Sequence, residues 1–269
     1  MKIILLTLFI TTSLFSKIYY SKVEPYEVRN ISSSVSGVVL FVDEESLGKK
    51  LSKKPYIKID AALDEDELRF TKSKISYLEK TVLLNEKMIK NLQISLEKKR
   101  ENYKQVETLK IKARVEKDKE FYDLITSENS YLTTQKEIMS LKNQIVDLRL
   151  REAQLVRNIQ DKSLNAEGFT LYSLDVKVGQ VVAPATALAK IVDTSKALLT
   201  IYLDEEDVAR AKQKVIFIDG EKTSYKISRL LSVADSKNIS KYMAQIVIEA
   251  PAVFSKLAKI ELKDSSSAK

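Results

Sequence analysis

Apolar residues recur at a seven-residue step along the middle of the chain, at Leu68, Ile75, Val82, Ile89, Leu96 and Tyr103. A weaker row three positions on, Leu78, Leu92 and Val106, is interrupted by Thr71, Asn85 and Lys99. These are the two core rows of a coiled-coil seam, and Asn85 reads as a polar seam residue that fixes register. A second set follows at Leu124, Tyr131, Ile138, Ile145 and Ile159, with Glu152 as the exception. Its companion row is Leu141, Leu148 and Leu155, preceded by polar Ser127 and Thr134. Tyr103 and Leu124 share a phase, but Lys110 and Lys117 occupy the core positions between them. Two successive charges end the seam there. The whole stretch lies in a run of 112 residues, between Pro55 and Gly168, without a glycine or proline. Such a run favours long helices, since those two residues are the strongest helix breakers. The pattern predicts two antiparallel helices, roughly Ala62 to Leu109 and Glu116 to Gln160, each about 65–70 Å long at about 1.5 Å rise per residue. The alternative is one unbroken rod that dimerises.

The flanks of the run favour the hairpin. Gly37-Val-Val-Leu-Phe-Val leads to Gly48, and Gly168-Phe-Thr-Leu-Tyr-Ser leads to Gly179, with the same 11-residue step between glycines. Each then reaches an apolar strand ending in aspartate, Tyr56 to Asp60 and Leu188 to Asp193. One small β unit therefore occurs twice. Alternating apolar residues such as Val38, Leu40 and Val42 predict a strand, followed by a turn and a second strand. Neither copy alone buries a two-sided sheet, whereas two packed face to face do, so the arms must return to their start. Further strand-like runs follow at Ala197 to Leu203, Val215 to Ile218, Tyr225 to Leu231 and Ala244 to Ile248, with a turn at Asp219-Gly220.

Composition narrows the chemistry. The 269 residues hold one to three small domains. With no cysteine and no histidine there is no disulfide, thiolate metal site or histidine-based triad, which lowers the expectation of an enzyme. Two acidic clusters remain. Asp64-Glu65-Asp66-Glu67 reads as a helix first turn opposing the macrodipole, and Asp204 as the cap of a short helix before Glu205 to Val208. Lys2, the apolar run Ile3 to Phe15 and small Ser16 read as an export signal over residues 1–16, with an uncleaved inner-membrane anchor as the alternative. The formal net charge of +8 is spread over interleaved lysines and acids and reads as solvated surface, not a nucleic-acid site. One place differs: Lys98 to Lys119 carries nine basic and four acidic residues, among exposed-looking Leu109, Ile111 and Val115. That is a plausible docking surface where the hairpin turns.

A β sandwich in two halves around a coiled-coil hairpin resembles the periplasmic adaptor, or HlyD-like membrane fusion, proteins of tripartite efflux and secretion systems. The resemblance rests on Val35-Ser36-Gly37-Val38-Val39, on Val178-Gly179-Gln180-Val181-Val182 with Leu188 to Asp193, and on Ala197 to Leu203 followed by Asp204 to Val208. It implies an α+β fold: a long antiparallel coiled-coil α-hairpin inserted between two halves of a lipoyl-like β sandwich, then a small β-barrel domain. The expected divisions are an N-terminal segment with the first half at 17–61, the hairpin at 62–160, the second half at 161–194, the barrel at 195–264 and a tail at 265–269. The membrane-proximal domain of larger members is expected to be absent or reduced to Tyr19 to Asn30. The resemblance further implies a non-catalytic, cofactor-free adaptor, associated with the envelope on the periplasmic side. Its implied partners are an inner-membrane transporter of RND or ABC type, a TolC-like outer-membrane channel and further copies of itself. Family members carry arginine, leucine and serine at the tip for the channel. Aligning Leu109 with that leucine puts Gln105 and Glu116 at the other two places, and with Lys112 and Arg114 these are the expected channel-contact residues. The runner-up is an exported coiled-coil protein that spaces envelope layers without transport. A biotin or lipoyl carrier is disfavoured, because Lys53 and Lys54 lack the Met-Lys-Met-like pattern.

Overall fold

A computed structural model describes residues 17–111, 113–235, 238 and 240–264. The expected export signal and the tail lie outside these residues. Two long helices, α1 (Ala62–Thr108) and α2 (Arg114–Asp161), run 47 and 48 residues and pack antiparallel. At the entry to α1 the Asp60 carboxylate accepts the Ala62 N–H at 3.0 Å, satisfying one of the amides a helix start leaves unpaired. Between the helices the chain turns through extended Leu109 and Ala113.

Heptad counting places the seam. Ile75, Leu78, Val82, Ile138 and Ile145 form one buried cluster, flanked by Ile89, Leu141 and Leu148. Buried Thr134 satisfies its hydroxyl on the Ser130 carbonyl at 3.0 Å. Asn85 does not: its amide nitrogen is enclosed without a hydrogen-bond partner among the described residues, so it costs stability at its seam position. The acidic cluster does more than oppose a dipole. Asp64 pairs with Lys162 just past the end of α2, and Glu67 takes both nitrogens of an Arg151 fork at 2.7 and 2.8 Å. Both contacts tie the base of one helix to the base of the other.

Strands β4 (Ile57–Ile59) and β5 (Ser163–Leu164) close the hairpin, because the residues just before α1 pair antiparallel with those just after α2, in the register Ile57↔Leu164. The sheet continues through β3 (Gly37–Val42) to β7 (Val181–Val182). Strand β6 (Thr170–Leu174) from the second repeat pairs instead with the long β8 (Ala187–Asp204). The two repeats are laced together by backbone: Gly48 N–H donates to Leu171 O at 2.8 Å, and Gly179 N–H to Val39 O at 2.8 Å. Val39, Ile57 and Ile59 from one half and Leu171, Val182 and Leu188 from the other fill one core. Within that core Tyr56 is almost wholly enclosed, and burial pushes its phenol up to about 12.

The facing of β3 is set by tertiary packing. Val39 is fully buried, while Val38 and Leu40 are exposed and Val42 is half-buried. The run Gly-Val-Val-Leu-Phe-Val is apolar throughout, so its alternation carries no phase. A one-residue slip exchanges the faces, and here an irregularity between Val39 and Phe41 sets the register.

The second β unit shares a strand with the first. β8 is a single 18-residue strand that crosses the expected 194/195 division. Its lower part pairs with β6 and its upper part with β12 (Lys241–Glu249), while β2 (Glu24–Ser32) runs along its other edge from Ala187 to Leu198. The segment expected to be a reduced membrane-proximal domain is thus a structural part of both β units. β1 (Ile18–Lys22) pairs with β13 (Leu257–Lys263), which pairs with β9 (Val215–Ile218). β9 turns into β10 (Glu221–Lys222) through Asp219 and Gly220, whose φ of 52° and 91° suit a tight hairpin. With β11 (Ile227–Ala234) these sheets enclose a core including Leu199, Ile201, Ile216, Ile246 and Ile260.

Asp204 precedes the short helix α3 (Glu205–Val208) but makes no capping hydrogen bond. Its carboxylate is taken by Lys17 at 3.1 Å and Lys241 at 3.2 Å. Asp207 accepts from Tyr19 at 2.9 Å and pairs with Lys17 at 3.0 Å and Lys214 at 3.1 Å. Burial works against its ionised form, but hydrogen bonds from Lys17, Lys214 and Tyr19 outweigh that and hold its pKa below the ordinary carboxylate range.

Two outcomes follow from this packing. A Cβ at Gly37 would lie 2.6 Å from Ile59 Cγ2, so Gly37→Ala should cost about 1–3 kcal/mol in denaturant unfolding, and much less in an Ile59→Ala background. Because the folded-state pKa of Asp207 is depressed, its contribution is complete above the unfolded carboxylate value of about 3.9 and is lost as pH falls through the folded value. Asp207→Asn should therefore lower stability near neutrality and flatten its decline in acid, read from thermal melts across pH.

Candidate docking site at the hairpin tip

The tip is held by contacts across the turn. α1 has no basic residue in its last turn, where the helix leaves carbonyls unsatisfied and partially negative. Lys117 of α2 supplies the missing cation, donating to the Glu107 carbonyl at 2.8 Å. About two turns further in, Lys99 reaches the Asp123 carbonyl at 3.3 Å, and Arg100 pairs with Glu128 at 2.6 Å. Lys117, whose charge ends the seam in sequence, is therefore used in closing it.

The expected contact residues sit on this turn but in different settings. Gln105 is exposed on the last turn of α1, its carbonyl accepting the Thr108 hydroxyl at 2.9 Å. Leu109 follows the helix in extended conformation, its N–H on Val106 O at 3.2 Å, and is a little under half exposed. Arg114 opens α2, and Glu116 lies in its acidic first turn; both are exposed. Lys112 lies outside the described residues. Around them Ile111 and Val115 project almost fully into solvent, 97 and 80 % exposed. Leu109, Ile111 and Val115 thus form an apolar crest rimmed by Lys110 and Arg114.

An aromatic cluster beneath the crest is not anticipated by heptad counting. Tyr103 of α1 meets Phe121 of α2 at 5.6 Å between ring centroids, and Phe121 meets Tyr122 edge-on at 5.9 Å. Partial burial and neighbouring Glu107 raise the Tyr103 phenol above its ordinary value. The signal lies in the adjacent Phe121-Tyr122 pair: once the turn is placed between Thr108 and Arg114, Phe121 falls level with Tyr103. No group of side chains among the described residues could hold a metal ion, and no described helix is long and apolar enough to cross a membrane.

No protein-family sequence pattern and no curated protein sequence matches the chain. Solved structures do. MacA from Actinobacillus actinomycetemcomitans superposes with a TM-score of 0.69 at 16% identity, over 92% of this chain and 78% of that one. The membrane fusion protein Spr0693 of Streptococcus pneumoniae superposes at 0.55 with 12% identity, over 93% of this chain and 100% of its own. The fold is that of the membrane fusion proteins. A MacA–MexA chimera carrying the Pseudomonas aeruginosa MexA α-hairpin also matches, at a TM-score of 0.58 and 15% identity, over 93% of this chain and 81% of that one. The membrane fusion fold thus accounts for the sandwich, hairpin and barrel together, while at these identities it leaves the tip chemistry to this chain's own residues.

Phe121→Ala should remove both ring contacts, worth about 0.5–1.5 kcal/mol each beyond burial. Hydrogen exchange should then accelerate near the turn, while amides around Ile75 and Ile145 keep their protection.

Proposed function

We propose that the chain is the periplasmic adaptor subunit of a tripartite export assembly, with no catalytic activity of its own. The observation that carries this reading is the architecture: a β base built from both ends of the hairpin, and an arm roughly 70 Å long at about 1.5 Å per residue. The arm's far end presents an apolar, basic crest. A base of two β units sharing a strand suits docking on an inner-membrane transporter, and the crest suits docking on an outer-membrane channel. The exported chain would then work in the envelope, spanning the space between the two membranes.

Leu109, Ile111 and Val115 supply the apolar contact in this reading, with Lys110, Lys112, Arg114 and Gln105 setting orientation around it. Glu116 stands where relatives carry a small hydroxyl, so the channel surface is expected to present a positive or hydrogen-bond-donating group there. Such charge pairing sets partner choice and association rate more than affinity.

A photo-crosslinking residue at Ile111 or Val115, in cells carrying the native partners, should trap an outer-membrane protein, whereas the same residue at Lys80, midway down α1, should not. Capture of no outer-membrane protein from well-expressed, correctly exported chain would remove the adaptor reading. Deletion of the chain should also raise sensitivity to the exported compounds.

A further inference from the structure

A cavity lies at the joint between the arm and its base. It occupies about 420 Å³ where the end of α2, the turn after β5, β2 and β8 come together. Small-molecule sites fall in the range of roughly 300–1,000 Å³. The floor is apolar, made by Ile31, Tyr56, Leu164, Phe169 and Ile191. These residues come from separate stretches of the chain, so no local sequence pattern announces the site.

Tyr56 gives the floor one polar group. The residue is only 1 % exposed, yet its hydroxyl has no hydrogen-bond partner among the described residues. Burial alone raises its phenol, with no charged or hydrogen-bonding neighbour contributing. The hydroxyl is not sealed in protein as the Asn85 amide is, so it meets the cavity that the residue lines. Buried polar groups are nearly always paired, and an unpaired one lowers stability. The cavity thus presents a donor and acceptor whose capacity is unused.

The wall is charged unevenly. Arg29 lies over the Phe169 ring at 4.4 Å and forks onto Glu27 at 2.6 and 3.0 Å, so its charge is met. Asp161 accepts the Ser34 hydroxyl at 3.0 Å and pairs with Arg157 at 3.0 Å, so its charge is met as well. Glu167 lines the same cavity without an ion pair among the described residues. One uncompensated carboxylate therefore stands at the site, in a chain of formal net charge +8. At physiological ionic strength distant lysines are screened beyond about 8 Å, and the local carboxylate decides which charge enters. We propose that this cavity binds a small aromatic amine, its flat body on the apolar floor and its amino groups on the Tyr56 hydroxyl and the Glu167 carboxylate. An aromatic body suits a floor that already carries the rings of Tyr56 and Phe169. Spanning from the end of α2 to the sandwich, the occupant would tie the arm to its base. The site goes beyond the adaptor reading and does not depend on it, since binding is a property of the isolated chain.

The full-length chain is titrated with three acridines of similar shape and different charge. Proflavine is a cation, acridine is neutral at slightly alkaline pH, and acridine-9-carboxylate is an anion. Fluorescence titration should show proflavine bound roughly tenfold more tightly than either of the others, the worth of one hydrogen bond to a charged group. Tyr56→Phe should weaken proflavine by a similar factor while melting at the parental temperature or above, because it keeps the ring and removes the unpaired hydroxyl. Glu167→Gln should abolish the preference for the cation without changing the melt. Bound proflavine should slow hydrogen exchange at Asn165 and Ala166 and leave the hairpin tip unaffected. Equal binding of all three acridines, unchanged binding to Tyr56→Phe, or protection confined to the tip would overturn the proposal. So would the absence of binding at millimolar dye, which leaves the cavity to water. Failure here leaves capture of an outer-membrane protein in cells untouched, and failure of that capture leaves dye binding untouched.

Discussion

Everything in this molecule depends on a short antiparallel pairing between β4 and β5, the residues that enter and leave the hairpin. Some hundred residues of helix lie between Ile59 and Ser163, yet the chain returns to hydrogen-bond with its own starting point. Closing a loop costs entropy that grows only slowly with its length, and two stiff arms joined by a buried seam reduce that cost further. The Asp64–Lys162 and Glu67–Arg151 pairs fasten the same point from the helical side. Without that closure Val39 and Leu171 would each belong to an unfinished sheet, and there would be no sandwich core.

From the closed base, stiffness passes in two directions. Upward, the seam from Ile75 to Ile145 makes a lever whose far end stays near the axis, because Lys117 caps the end of α1 and the Tyr103–Phe121 contact packs beneath the turn. Downward, β8 and β2 run through both β units without interruption, so the barrel is not hung from the sandwich by a loop. The base, the arm and the barrel are thereby linked through regular secondary structure.

The same economy appears in the charges. In both acidic clusters carboxylates are paired with lysine or arginine from distant parts of the chain: Asp64 with Lys162, Glu67 with Arg151, and Asp204 with Lys17 and Lys241. Asp207, held by Tyr19, Lys17 and Lys214, anchors the N-terminal strand to the barrel, just as Asp64 anchors one helix base to the other. Positive charge left over is gathered at the tip, beside the apolar crest.

The seven-residue rows, the lysines that interrupt them and the repeated glycine spacing determined the helices, their reversal and the need for two β halves to meet. These are properties of period and of breaker placement, and both are local. The phase of β3 was decided only by tertiary structure, since a strand apolar at every position fits either way round and packing against Ile59 selects one. The union of Leu188 to Asp193 with Ala197 to Leu203 into one strand was likewise decided by pairing partners, because Thr194 to Lys196 carry no break and no signal of continuity. In sequence the carboxylates of Asp64 and Asp204 have the look of helix-terminal charges, and only the approach of Lys162, Lys17 and Lys241 assigns them to ion pairs. At the tip, sequence located the turn and its charge. The juxtaposition of Tyr103 with Phe121 required the turn's exact length, a quantity that one residue of slip changes and that hydrophobic period alone does not set.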